Sequence, residues 1–208
     1  MRDRVYTIVY MTVLCAAATL LMTGAKLALS DRVTENETLR TNRARLAGLD
    51  LHPTGAGARE VNEMYEKRVR RETRNGREVF VAYEDDGKTV HAVGVAFSGK
   101  GFWGPIRGMI STDPQGREIR GIVFSDHVET PGLGGRIGEG WFTAQFRGKS
   151  AAGEGAGLAF LPEGASADGP QEVNAISGAT RTSESVRTIV NQALRDLRAA
   201  LSAPAGGN

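Results

Sequence analysis

Cysteine occurs once in the 208 residues, at Cys15. That excludes an intrachain disulfide and any zinc cluster built from thiolates. Leu14 stands where a bacterial lipobox requires a small residue, so lipid attachment at Cys15 is not expected; a buried thiol is. Histidine is nearly as scarce: His52, His91 and His127 are the full set and lie far apart in sequence. Asp126, His127 and Glu129 form the nearest thing to a ligand cluster, and one histidine is a poor basis for a three- or four-ligand transition-metal site. Excess charge of either sign is also missing, since 26 Lys and Arg face 24 Asp and Glu. The densest basic run, Arg68, Arg70, Arg71 and Arg74, is interleaved with Glu66, Glu72 and Glu78. It reads as a solvated face, and no nucleic-acid partner is expected. There is no internal repeat, and no pattern for a nucleophile triad or a nicotinamide fold.

Long apolar runs are limited to one. From Val5 to Ala25 no residue is charged, and at ~1.5 Å per residue this helix spans about the ~30 Å of a bilayer core. Tyr6 and Tyr10 suit an interface. Signal-peptide cores run about 7–15 residues and no clean Ala-x-Ala site follows before Ser30, so a retained transmembrane anchor over residues 1–29 is expected. Arg2 and Arg4 precede the run, whereas Lys26, Arg32, Arg40, Arg43 and Arg45 follow it. That count places the long domain inside, but large domains translocate with little regard for charge.

Residues 30–57 read as a membrane-proximal polar helix and hinge. Val33, Leu39 and Leu46 are too sparse for a deep apolar face, which points to a stalk or partner-facing helix, and His52-Pro53 opens the hinge. Residues 58–201 carry the domain and 202–208 a flexible tail. Val61, Met64, Tyr65 and Val69 share one side of a short helix. Residues 78–83 and 89–97 read as a hairpin across Glu84-Asp85-Asp86-Gly87, and 106–112 and 118–128 as another across Asp113-Pro114-Gln115-Gly116. His91, within a strand, is assigned no chemistry. Trp141, Phe142 and Phe146 suggest a short amphipathic helix facing the core. Residues 149–169 are rich in Ala, Gly and Ser around one edge strand. The fold class is α+β: a twisted antiparallel sheet with packed helices, preceded by one transmembrane helix.

The strongest helix signal lies near the end, where Val186, Ile189, Val190, Ala193, Leu194, Leu197 and Leu201 repeat at helical spacing. Thr182 or Ser183 is its expected N-cap, with Glu184 in the first turn. Just before it runs Asn174-Ala175-Ile176-Ser177-Gly178-Ala179-Thr180-Arg181-Thr182. A hydroxyl-rich turn against a helix N-terminus is either a capped junction or a phosphate site, because free N–H groups and the dipole favour an anion. Upstream, Pro131 to Gly135 closes a strand with glycines that allow close backbone approach; alone it reads as a turn.

Three blocks, in order, resemble the FMN-binding domain family. They are Gly101-Phe102-Trp103-Gly104-Pro105-Ile106, then His127-Val128-Glu129-Thr130-Pro131-Gly132-Leu133-Gly134-Gly135, then Ser177-Gly178-Ala179-Thr180. The family occurs in the covalent-flavin subunits of two membrane complexes, the sodium-pumping NADH:quinone reductase and the Rnf complex. The resemblance implies FMN joined to Thr180 by a phosphoester, installed by a separate flavin transferase. Around it, Ser177, Gly178, Ala179 and Thr182 would hold the phosphate or cap the helix, with Arg181 offsetting charge. Glu129, Thr130, Leu133 and Gly134 would lie along the isoalloxazine, and Trp103 would either stack on the ring or fill the core. The implied role is electron relay among the subunits of a membrane complex, with no independent catalysis. It implies a bacterial inner-membrane location, single-pass, with the C-terminal domain outside the cytoplasm. The alternative is a non-redox anchored scaffold that holds flavin weakly or not at all. Between the two complexes the sequence does not choose.

Overall fold

The computed structural model describes residues 2–53, 57–151 and 157–202. The expected tail beyond Ser202, positions 54–56 of the hinge and positions 152–156 of the Ala- and Gly-rich segment lie outside these residues. Two compact units are present, Met1–Arg40 and Thr41–Asn208.

The first unit belongs to a single helix, α1 (Arg2–Gly48). Among the described residues this is the one helix long and apolar enough to cross a membrane. The hydroxyls of Thr12 and Thr19 each donate, at 2.8 Å, to the carbonyl four residues back, so the apolar run leaves neither hydroxyl without a partner. Cys15, expected to be buried, is exposed. Among the described residues that unit is one helix, with no second element of the unit to cover the thiol.

The second unit is built on a five-stranded antiparallel sheet in the order β1-β2-β3-β4-β5. After α2 (Ala58–Arg68) come β1 (Val69–Arg74), β2 (Arg77–Tyr83), β3 (Val90–Lys100), β4 (Pro105–Thr112) and β5 (Ile119–Asp126). Strand-to-strand order follows the chain because each link is a short turn. Tight turns at Asn75-Gly76, 84–87 and 113–116 do this, and Asn75 itself adopts φ 51°. A short 3-10 helix (Gly134–Gly138) and α3 (Gly140–Ala144) follow, then a small parallel pair, β6 (Ala159–Leu161) and β7 (Glu172–Asn174), and finally α4 (Thr180–Leu201).

The sheet is buried on both faces. Alternation puts Val93, Val95 and Phe97 on one side, where they join Ile110, Ile122 and Phe124 and the apolar face of α4. Phe142 and Phe146, fully buried, extend that core. The opposite face carries Phe80, Ala92, Gly94 and Met109. Here the structure departs from the expected stalk. Leu46 and Leu49, in and just after the last turn of α1, are fully buried, and Leu51 is 3% exposed. Ser111 Oγ donates to the Gly48 carbonyl at 2.7 Å, while a Cβ on Gly48 would stand 2.9 Å from Met109 Cγ. The end of α1 is thus a layer of the domain. Asn42 Nδ2 donates to Asn62 Oδ1 at 3.0 Å, and Arg45 donates to the Tyr65 hydroxyl at 3.1 Å, so α2 is tied to it.

β1 is a second departure. The helix expected from residue 58 gives way at Val69, and the charged stretch VRRETR, read as a solvated face, pairs with β2 along its whole length. It is the sheet's edge strand, where charges are tolerated because one side faces water and discourages further pairing.

Candidate functional site

At one end of the second unit three loops converge on a cavity of about 380 Å³. The first loop is the turn between β3 and β4, closed by Gly101 N–H donating to the Gly104 carbonyl at 2.7 Å. The second follows β5. Its Thr130 carbonyl accepts from the N–H groups of Leu133 and Gly135 at 3.1 and 2.9 Å, with Gly132 at φ 73° in the left-handed region. The third is the turn into α4, where Gly178 also takes a left-handed φ, of 71°.

Sequence reasoning placed ten residues at this site, and nine of them line the cavity. Trp103, Glu129, Thr130, Leu133 and Gly134 line it from the first two loops, and Gly178, Ala179, Thr180 and Thr182 from the third. Ser177 does not line it; its N–H donates to the Glu163 carboxylate instead. Phe102 and Arg181 complete the wall. The Arg181 guanidinium lies over the Phe102 ring, 5.0 Å from its centroid. Phe102 belongs to a block that the sequence flagged, but no spacing rule singled it out.

The start of α4 differs from the expectation. The helix begins at Thr180 with Ala179 as N-cap and no side-chain cap bond. Thr182 and Ser183 therefore lie inside the helix and cap nothing, and Glu184 falls beyond the first three helical residues. The turn at Gly178 starts the helix three to four residues earlier than the hydroxyl pattern suggested. The Ser183 hydroxyl accepts from the Ile176 N–H at 3.1 Å and so fastens the turn to the helix. Thr180 is then the first helical residue and is exposed. The first N–H groups of the helix have no intrahelical acceptor and point along its axis, out of the N-terminus.

Glu129 is the buried centre of the site, 4% exposed. Its Oε1 accepts from the backbone N–H groups of Phe102 at 2.8 Å and Trp103 at 3.1 Å. Its Oε2 accepts from the Thr182 hydroxyl at 2.7 Å. Trp103 is 65% exposed, which removes the core-filling alternative for that ring. With Leu133, 45% exposed, and Phe102 at 42%, it gives the cavity an apolar, solvent-facing rim.

The suggested metal cluster does not converge. Asp126 pairs with Arg107 at 2.5 Å, and Glu129 is committed to three donors. His91 Nδ1 lies 2.8 Å from the Glu84 carboxylate, a structural pairing. A larger open groove of about 760 Å³ runs between α4 and β3 and shares Phe102 and Arg181 with the cavity, but holds neither Thr180 nor the 129–134 loop.

Comparison with known proteins points the same way. Residues 101–195 match the FMN-binding domain family. The C subunit of the Na(+)-translocating NADH-quinone reductase of Pasteurella multocida is 40% identical over 114 residues, 54% of this chain and 43% of that protein. Its counterpart in Neisseria meningitidis serogroup A is 35% identical over 111 residues, 53% of this chain and 43% of its own. The chain thus spans about two fifths of the length of these curated relatives. Among solved structures, the C subunit of the Na(+)-translocating NADH-quinone reductase of Parabacteroides distasonis superposes with a TM-score of 0.72 at 27% identity. That match covers 85% of this chain and 98% of the other. NqrC of Shewanella oneidensis shares the fold, with a TM-score of 0.65 at 22% identity, covering 78% and 99%.

Proposed function

We propose that the chain, whose residues 101–195 match the FMN-binding domain family, is a membrane-anchored flavoprotein subunit relaying electrons through FMN attached to Thr180. The complex it serves is of the Na(+)-translocating NADH-quinone reductase type, the description shared by the relatives it matches. The observation that carries this reading is the placement of Thr180. An exposed threonine sits at the first position of a 22-residue helix, beside a cavity whose walls come from all three sequence blocks.

The residues fit the group. A cavity of this size lies in the range of small-molecule sites, roughly 300–1,000 Å³. The N-terminus of α4 supplies unpaired N–H groups and the positive end of a helix dipole for a phosphate, and Arg181 adds a full positive charge at the rim. Trp103, Phe102 and Leu133 offer flat or apolar surface to a ring system. FMN, when bound, supplies the electron-carrying chemistry. The chain's part is to hold the phosphate, orient the ring and set its surroundings. Nothing lining the cavity is arranged as an acid–base pair with a nucleophile, which suits a relay between proteins. The further proposals are that residues 1–29 anchor the chain, that the domain from residue 58 lies outside the cytoplasm, that other subunits of the complex exchange electrons with it, and that a flavin transferase matures it.

The test is intact mass of the chain co-expressed with a flavin transferase, alongside Thr180→Ala. The parent gains the mass of a single FMN phosphoester and the variant gains none. A colourless, unmodified parent would refute covalent flavinylation and leave an anchored scaffold as the surviving reading.

A further inference from the structure

We propose that Glu129 is a positioning residue, whose buried carboxylate ties the Phe102–Trp103 turn to the first turn of α4 and thereby sets where Trp103 stands over the cavity. The inference rests on the flavin reading for its purpose, but its geometry stands without it.

Three segments widely separated in sequence meet on this one side chain. Oε1 takes two successive backbone N–H groups at 2.8 and 3.1 Å, and Oε2 takes the Thr182 hydroxyl at 2.7 Å. Two consecutive amides can aim at one oxygen only if the turn curls around it, and the 101–104 turn does so. The packing around the carboxylate admits no side chain. A Cβ on Gly101 would stand 2.5 Å from Oε1, and a Cβ on Gly134 would stand 2.5 Å from Thr182 Oγ1 and 2.9 Å from Oε2. The glycines of two separate blocks are therefore required by the packing around this carboxylate, to which the Gly104 carbonyl and Ile106 contribute at Gly101, apart from any need of a ligand.

A carboxylate that is 4% exposed would be costly to bury without donors. Charge-assisted bonds from these three donors offset that cost and are stronger than neutral ones. The Trp103 side chain is 65% exposed and its ring contact is with the neighbouring Phe102, centroids 4.9 Å apart. Its backbone is held by Glu129 together with the Gly101–Gly104 bond that closes the turn. Because the other carboxylate oxygen is held at Thr182, two residues from Thr180, this side chain joins the ring-side wall to the phosphate-side wall by hydrogen bonds, beside the contact of Arg181 with the Phe102 ring. Disturbing either end is transmitted to the other.

The full-length chain, free of flavin, gives the first readout: hydrogen exchange at the amides of Phe102 and Trp103. Glu129→Ala is expected to accelerate both by about tenfold or more, the loss of charge-assisted bonds from a locally opened turn. Thr182→Val, nearly isosteric and remote in sequence from residue 102, is expected to accelerate the same two amides. Glu129→Gln keeps an oxygen for the two N–H groups and an amide that can donate to the Thr182 hydroxyl, so it is expected to stay within about threefold of the parent. Parent-like exchange in Thr182→Val would overturn the proposal, as would exchange in Glu129→Gln as fast as in the alanine variant. Should Glu129→Ala fail to fold, the other two variants still decide.

A second readout uses Trp103 emission in the flavinylated chain carrying Trp141→Phe, which leaves a single tryptophan. Emission is expected to be quenched in this protein and in its Glu129→Gln form. Adding Thr182→Val is expected to restore part of the emission. Full emission in the flavinylated Trp141→Phe chain, with the exchange results as expected, would count against ring stacking by Trp103 and leave the clasp established.

Discussion

At the scale of single residues, Gly178 is the position where chemistry and conformation are hardest to separate. Its φ of 71° lies where a Cβ costs roughly 1–2 kcal/mol. The added atom would also press on Leu133 Cδ2 at 3.2 Å. Gly178→Ala is therefore expected to lower the melting temperature by a few degrees and, more tellingly, to reduce flavin incorporation at Thr180. Mass spectrometry of the incorporated fraction checks this, and full incorporation in the variant would show that the turn need not keep its left-handed bend. Much of the residue-level site was legible because the blocks are short, ordered and rich in glycine. What stayed hidden depended on partners distant in sequence. No local pattern around Glu129 says that its oxygens face Phe102, Trp103 and Thr182. The helix start was misplaced for a related reason: a run of hydroxyls offers several caps, and Gly178 and the Ser183–Ile176 bond decide among them.

Among the elements, the β4–β5 hairpin carries a titratable lock. Asp113 is 5% exposed. Burial pushes its carboxyl pKa up, but the N–H groups of Arg117 and Glu118, with the Arg117 guanidinium, outweigh it and hold the pKa below the ordinary value. Oδ1 accepts from those N–H groups at 2.6 and 3.2 Å, and Oδ2 from Arg117 Nε at 3.2 Å. A lowered folded-state pKa means that the stabilisation is complete above the unfolded value, near pH 4, and is lost as pH falls through the folded one. Asp113→Asn is expected to cost about 1–2 kcal/mol at neutral pH and to flatten the parent's loss of stability below about pH 4. Urea titrations across that range measure both; an unchanged acid slope would assign the loss to other carboxylates. The hairpins themselves were readable from alternating apolar residues and Asp/Gly turns. β1 was not, because an edge strand with charges on both faces has no period to betray it, and its pairing with β2 is a tertiary decision.

For the whole molecule, the burial of Leu46, Leu49 and Leu51 moves the working boundary of the folded unit towards the N-terminus. Three buried leucines, at ~1.5–3 kcal/mol each, contribute on the order of 5 kcal/mol, against total stabilities of about 5–15 kcal/mol. A fragment spanning 41–208 is expected to unfold cooperatively, whereas one spanning 52–208 loses most of its stability and exposes the sheet face beneath α1. Circular dichroism melts compare them, and superimposable curves would show that the helix end is dispensable. The sequence hid this because the three leucines crowd the very end of a mostly polar stretch. Their spacing resembles a stray cluster until Gly48 and Ser111 are seen to bring the helix end onto the sheet.

The openness of the cavity has a chemical consequence. Trp103, Phe102 and Leu133 all keep large fractions of their surface in water, so a flavin resting against them stays within reach of small dissolved molecules. If the proposed flavin is carried there, its reduced form in the isolated protein would be a target for dioxygen, and electrons meant for a partner would be lost to peroxide or superoxide. Protection would then have to come from whatever docks over that rim. On that proposal an assembly would also be the flavin's shield against wasteful oxidation, and a chain separated from its partners would become a source of oxidants.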